Sequence, residues 1–521
     1  MIHQHICRLL AILALPTVLH GTAAAAPAQD VLRVRLSADI RSTDPGTNRD
    51  DNTDAVVLHM VEGLVAIRED TTVGLLLASK VAVSPDGLRY TFTLRDGIRF
   101  HNGALLTADD VVWSWRRYLA PATGWRCLPE FDGRGMTKIL AVDAVNPRTV
   151  VFKLERPTGL FLATMARTDC GAAAIVHRSS VDVGGKWQQP VGTGPYKMQE
   201  WKRGQYIDLV RHDGYAALPG PRDGYTGGKK AEIAKLHFMV IPDEIAGKTA
   251  LYSGAIDVFP QARSADIEEI RRDPRTRISV APAMDMFALL FQTRDPLLRD
   301  VRIRRALALS LDTAAIAAAV TEGVSKSNNS AVPRTSAYYS PVQALGFRRD
   351  IAQAKRLLAA AGYKGQPITM IANKRFAESF DSAVLAQAMA AEAGIRIDLQ
   401  VLDWATQLDR YTKGKYQAMT FIYSARLDPS LSYEMIAGPK ALQPRKVWDD
   451  PVVQQKIAES VQQSDPRQRQ QVFDMLHRKM LADVPMVVLF NSVDAVGLRA
   501  NVAGYSSWAP AKPRLWNVRF Q

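Results

Sequence analysis

The chain carries three cysteines in 521 residues and, outside its first thirty residues, no stretch of eighteen uninterrupted apolar residues. The first shortage excludes a disulfide-dense scaffold. The second excludes a bilayer-spanning helix in the body of the chain. Long basic runs are missing as well, although 66 Lys and Arg against 52 Asp and Glu leave a net charge of +14. A nucleic-acid reader concentrates its charge on one element, so this spread speaks against a nucleic-acid partner. Catalytic patterns are absent too: there is no His-Glu-x-x-His and no Gly-x-Ser-x-Gly. Gly247-Lys248-Thr249 looks like the end of a phosphate loop, but Pro242 stands where that loop needs its first glycine. Gly192-Thr193-Gly194 is followed by Lys197 where a dinucleotide loop has its third glycine. His59, His101, His177, His212, His237 and His477 are too scattered for a metal-ligand pattern. These absences favour binding over turnover, with no cofactor and no metal expected.

What is present is an ordinary globular composition, 47% hydrophobic and 23% charged, long enough for several domains. His3, His5 and Arg8 precede an apolar run from Leu9 to Leu19, and small residues Ala23 to Ala26 follow. This order reads as a secretory leader over 1–28, cleaved after Ala25 or Ala28, and it predicts a periplasmic protein. Cys7 precedes the apolar run, so it does not take the place of a lipid-accepting cysteine. Cys127 and Cys170 remain after cleavage, and in an oxidising compartment they are candidates for one disulfide or for two buried thiols.

Strands and helices alternate along the chain, which predicts an α/β fold. Leu88, Tyr90, Phe92 and Leu94 alternate with polar residues, and Asp96-Gly97 offers a hairpin turn back to Ile98 and Phe100. Thr107 is a helix N-cap followed by Asp109 and Asp110 in the first turn. Strands are expected at Val150 to Leu154, Tyr206 to Val210 and Leu236 to Ile241. Helices are expected from Asp243 to Tyr252, from Asp300 to Glu322, after Asp350, and after Ser464 and Asp465, where Pro466 takes a first-turn position. No internal repeat or low-complexity linker is present, so the domains are joined by crossing strands.

Several segments together resemble the family 5 solute-binding proteins of ABC importers, the dipeptide, oligopeptide and nickel receptors. Val191-Gly192-Thr193-Gly194-Pro195-Tyr196 is similar to that family's signature. In order along the chain stand Asp86-Gly87 to Arg95, Phe100 to Gly103, Thr107 to Val111, Gly254 to Asp257, Asp300 to Leu307 with Asp312, and Ala354 to Tyr363. The resemblance implies a periplasmic binding protein of type II-like fold in its large three-lobed form, with a hinge and an interlobe cleft. Lobe I would comprise 29–65, 185–275 and 485–521, lobe II 66–184 and lobe III 276–484. It also implies a monomer that captures a small solute and delivers it to a membrane permease.

The resemblance further implies ligand-binding candidates. They are Trp404 and Tyr411, and then Tyr423, Arg426 and Asp428 in the stretch Tyr423 to Pro429. Tyr423 falls where relatives have Trp, and Arg426 falls where peptide-binding relatives place the Asp that meets the peptide's ammonium. This inversion points to a solute that is anionic, opine-like or sugar-like rather than a free-amine peptide. Arg426 could instead pair with Asp428 or another carboxylate, and the aromatics could be core. Arg49 and Asp50, after Asp44-Pro45, are further candidates. A peptide or metal-chelate receptor is the alternative within the family, and a periplasmic hydrolase or chaperone on this scaffold the alternative outside it.

Overall fold

The structure, a computed structural model, describes residues 30–135, 137–424, 426–463 and 465–521. The expected leader over 1–28 and Ser464 lie outside the described residues. Strands and helices alternate to build one ten-stranded mixed sheet, one four-stranded antiparallel sheet and three two-stranded ribbons. The order across the large sheet is Ile397–Val401, Ile368–Ala372, Ala418–Tyr423, Thr276–Phe291, Met486–Arg499, Val258–Phe259, Val31–Leu36, Lys235–Val240, Tyr206–Arg211 and Tyr196–Lys202. Thr276–Phe291 and Met486–Arg499 are by far its longest strands, and they lie antiparallel at its centre.

The buried strand Val31–Leu36 shows how sequence becomes fold here. It pairs in parallel with Lys235–Val240, and at Val34 with Val258, so both its edges are taken. Leu32 and Val34 are fully buried in a core shared with Phe238 and Leu498. The Arg33 side chain grips buried Asp257 through two bonds of 2.8 and 2.9 Å. Asp257 also accepts the Arg33 backbone N–H at 2.8 Å, so the Gly254 to Asp257 block anchors a central strand. Gly194 has an equally physical role. A Cβ there would stand 2.5 Å from His59 O, so only glycine allows the chain to run against 59–60. Between the two glycines Thr193 donates to Glu62 at 3.0 Å, Tyr215 donates to it at 2.8 Å, and Lys229 pairs with it. All the polar groups of this buried knot are engaged, as a buried charge pair requires.

The four-stranded sheet runs Ala78–Val83, Arg89–Leu94, Thr149–Leu154, Ile139–Asn146. Aromatics fill its core edge to face, with Trp115 5.1 Å from Phe152 and 5.2 Å from Phe131. The expected hairpin at Asp96-Gly97 does not form. Arg89–Leu94 pairs with Ala78–Val83 on one side and Thr149–Leu154 on the other, so no edge is left for Ile98 and Phe100. Those two residues enter the core from irregular chain instead. Thr107 caps Ala108–Leu119, with Asp110 accepting from the Thr107 N–H and hydroxyl at 2.9 and 2.8 Å. The single helix expected from Asp300 to Glu322 is two, Val301–Ser310 and Thr313–Val320. Asp312 breaks it by accepting from the Ala315 N–H at 2.9 Å, which caps a new helix. Helices Glu244–Ser253, Ile351–Ala360 and Pro466–Asp483 start behind Asp243, Asp350 and Asp465.

Cys127 and Cys170 form a disulfide, with Cα atoms 5.4 Å apart and 43 residues of separation. By chain entropy a loop of that length contributes about 4 kcal/mol. Reduction, or the pair Cys127→Ser with Cys170→Ser, should lower the unfolding temperature measured by calorimetry. An unfolding temperature indifferent to reductant would contradict this.

Asp494 lies in the strand Met486–Arg499, buried, with the Trp508 N–H donating to it at 3.1 Å. Burial pushes its carboxyl up to about 6, against the pull of the Trp508 N–H and of Arg514. The folded value lies above the unfolded one, so its stability contribution is complete below about pH 4 and is lost as pH rises through 6. The stability of the native protein relative to Asp494→Asn should therefore fall between pH 4 and 8, by on the order of 2 kcal/mol. Denaturant titrations at both pH values check the sign.

Candidate functional site

Three segments from distant parts of the sequence carry the candidate residues and their neighbours, and the second and third of them line one space. The first is the loop 44–50. Buried Asp44 accepts from Arg117 on the helix Ala108–Leu119, at 2.9 Å to one oxygen and through a second contact to the other. Burial raises its carboxyl above the usual range although Arg117 opposes this. Gly46 has φ of +73° and sits so close to the disulfide that a Cβ would stand 2.6 Å from Cys170 O. The Arg126 N–H donates to Gly46 O at 3.0 Å, so the loop is clipped to the disulfide-bonded segment. Arg49 is spent within the loop's own helix end. It donates to Asp54 at 3.0 Å and to Asp51 at 3.1 Å. Asp50 caps Asp51–Val57, accepting from the Thr53 N–H and hydroxyl at 2.9 and 2.8 Å.

The second segment carries Glu130, Arg134 and Arg167. Arg167 is nearly buried and donates to Glu130 at 2.9 Å and to Asp169 at 3.0 and 2.9 Å. Burial alone would raise the Asp169 carboxyl. Arg167, and beyond it Arg426 and Arg126, hold it far below the usual carboxylate range. That influence places Arg426 within the field of the disulfide-bonded segment.

The third segment follows the strand Ala418–Tyr423. Arg426 is half-buried and lines a space of about 420 Å³. Glu130, Arg134 and Arg167 stand on one wall, and Glu434 and Arg445 on the other. Four arginines and two glutamates line this space, with Arg134 held by Asp132 at 2.6 Å and Arg167 by Asp169 and Glu130, and its size falls in the range of small-molecule sites. Burial lowers the Arg426 value, with Arg167 adding repulsion and Asp169 opposing it.

Asp428 does not pair with Arg426. It caps the helix Pro429–Ile436 and is buried against Arg469, which donates to it at 2.6 Å. Its carboxylate therefore holds helix to helix. Tyr423 is buried at its strand end, its hydroxyl 3.4 Å from that of Tyr411. Tyr411 stacks on Phe421 at 4.3 Å, and Trp404 stacks on the same ring at 5.7 Å. The three aromatics thus form one layer around Phe421, in which Trp404 alone keeps a partly exposed face. Arg426 is the sequence-predicted residue that lines the charged space; the aromatic layer and the Arg49–Asp50 loop are not among its walls.

Glu130, Arg134, Arg167, Glu434 and Arg445 were not singled out by sequence reasoning. No motif joins them, and the signal that could have raised Arg167 is its position three residues before a cysteine. Among the described residues, the one His, Cys and carboxylate group close enough to share a metal is Cys127, Asp169 and Cys170. Both of its sulfurs are consumed by the disulfide. The histidines are engaged elsewhere: His59 accepts from Leu515 N–H at 3.1 Å, and His477 bonds Leu345 O at 3.0 Å. No helix of the described residues is long and apolar enough to cross a membrane.

Comparison with known proteins agrees with this architecture. The heme-binding protein A of Haemophilus influenzae is 28% identical over 376 residues, covering 67% of this chain and 65% of that protein. The dipeptide-binding protein of Escherichia coli is 28% identical over 371 residues, covering 66% of each. The matched stretch thus spans a little under two thirds of the length of either relative. The solved structure of HbpA2 from Haemophilus parasuis superposes with a TM-score of 0.81 at 23% identity, over 94% of this chain and all of that one. The model of the bacterial extracellular solute-binding proteins, family 5, matches residues 72–442. That match takes in the disulfide-bonded segment, Arg426 and most of the cleft walls, and the chain belongs to this family of extracellular solute-binding proteins.

Proposed function

We propose that this protein is the periplasmic receptor of an ABC importer, capturing a small anionic solute and handing it unchanged to a membrane permease. The observation that carries the anion is the space of about 420 Å³ lined by Arg426 and Arg445 together with Arg134 and Arg167, the last two already paired with Asp132 and Asp169. Guanidinium groups stay charged at any working pH and present planar donor forks that match a carboxylate. The two relatives compared above are named for heme and for dipeptides, so relatedness leaves the solute open. Here Arg426 occupies the place where the peptide-binding pattern has an aspartate, which disfavours a free-amine peptide.

On this reading the chain folds as three lobes, 29–65 with 185–275 and 485–521, then 66–184, then 276–484. The two walls of the cleft belong to the second and third. The pairing of Thr276–Phe291 with Met486–Arg499 lapses between Pro282 and Met286, which gives the third lobe a place to swing. A solute that touches both walls binds the closed form better than the open one, and that difference is what drives closure.

Two measurements test the proposal. A ligand carried through native purification should be anionic by mass spectrometry. Arg426→Ala should weaken its binding about tenfold to a hundredfold, since a charge-assisted hydrogen bond contributes roughly 1.5–3 kcal/mol, and Arg426→Lys should recover only part. Unchanged affinity in Arg426→Ala would remove the anchor. For export, the protein isolated from its native cells should begin at Ala26 or Gln29; an intact Met1 would contradict periplasmic delivery.

A further inference from the structure

The charged space around Arg426 adjoins a second space, of about 280 Å³, and Gly135, Glu434 and Gln443 line both. The second is built differently. Pro157, Ala437, Pro439, Ile457, Ala458 and Val461 give it apolar walls. It too lies between the two walls of the cleft, with Pro157 on one side and the helix Pro451–Gln462 on the other. The walls are tied together beside it. The Gly159 N–H donates to Val461 O at 2.6 Å, and Leu160, Leu431 and Val461 close into a small buried cluster.

The charges at the junction sort what can occupy each space. Glu434 is held at 2.7 Å by Lys446, whose side chain is fully buried, so the carboxylate at the junction is fixed in place. An incoming anion is repelled from Glu434 and drawn to Arg426 and Arg445. Arg445 donates to Gln443 Oε1 at 3.1 Å and contacts no carboxylate among the described residues. Arg156, exposed, also lines the second space, against four arginines lining the first, so an anion is drawn to the first, while the apolar walls of the second leave room for hydrocarbon: a cavity of about 150 Å³ already accepts benzene.

We infer that the solute is an amphiphilic carboxylate, its head between Arg426 and Arg445 and its alkyl or aromatic tail in the apolar space beside Ile457 and Val461. This rests on the anion reading above and narrows it. Burying both ends between the two walls makes the whole ligand a bridge, so tail as well as head contributes to closure.

The test is calorimetric titration of the mature protein with acetate, butanoate, hexanoate, octanoate and 3-phenylpropanoate, with 1-hexanol as the headless control. Affinity should rise about fourfold per methylene until the space is filled, the fold-change of roughly 0.8 kcal/mol per buried methylene. Hexanol should bind far more weakly than hexanoate. Ala458 is exposed on its helix, so Ala458→Phe should fold, as its unliganded unfolding temperature will report, and should abolish the rise with chain length. Arg445→Ala should weaken every carboxylate about tenfold while keeping the rise. A flat series with measurable short-chain binding would overturn the tail and leave the anion reading standing. A rise that persists in Ala458→Phe would also overturn it, by placing the tail elsewhere. Binding of hexanol as tight as hexanoate, or no binding of any carboxylate, would overturn the head and the anion reading together.

Discussion

The molecule depends on one pair of strands. Thr276–Phe291 and Met486–Arg499 run antiparallel through the centre of the large sheet, and each end of the pair belongs to a different core. At one end Val496 and Leu498 pack with Leu32, Val34 and Phe238. At the other Leu289, Val487 and Leu489 pack with Ile303 and Leu307. Between them the ladder lapses from Pro282 to Met286, and Pro282 itself lacks the N–H a ladder needs. The result is a sheet continuous in strand order whose longest ladder is interrupted at one place. On the proposed three-lobed reading, two well-packed bodies joined by such a strip change their angle without breaking either core.

The sequence blocks that resemble the family serve that framework. Gly194 allows 191–196 to lie against 59–60, Thr193 and Lys229 complete the bonding of buried Glu62, and Asp257 anchors the strand of Arg33. Such groups tolerate little substitution, because removing one partner strands a buried charge or forces a backbone apart. On the proposed reading the residues lining the charged space answer to a different demand, the chemistry of one solute.

This division explains what was legible in the sequence. The alternation of Tyr90, Phe92 and Leu94, the caps at Asp243, Asp300 and Asp350, and the signature at Val191 to Tyr196 are local or come in a fixed order, and they place most of the elements. The hairpin at Asp96-Gly97 failed because a locally good turn was outbid by a strand fifty residues later, Thr149–Leu154. The helix after Asp300 was read as too long because Asp312 is equally acceptable as a surface residue and as a cap, and only the observed Ala315 bond decides. Of the charged residues that line the space of about 420 Å³, Arg426 is the one among the candidates read from the sequence. Glu130, Arg167 and Arg445 come together only through the tertiary arrangement of separate elements, which no periodicity reports.

Arginines on both walls bear on closure as well as on recognition. Asp169 and Glu130 neutralise Arg167 and Asp132 neutralises Arg134 in place, so the standing charge of the space falls on residues such as Arg445 that contact no carboxylate among the described residues. As the walls approach, water leaves and like charges interact through a poorer dielectric, where a pair a few ångströms apart costs on the order of a few kcal/mol. On the proposed reading this repulsion raises the energy of a closed and empty receptor. A bound carboxylate reverses the sign of the interaction with both walls at once. On that reading the same guanidinium groups hold the solute and the closed form together, the backbone bond from Gly159 to Val461 ties the two walls, and Leu160, Leu431 and Val461 form the apolar seam beside it.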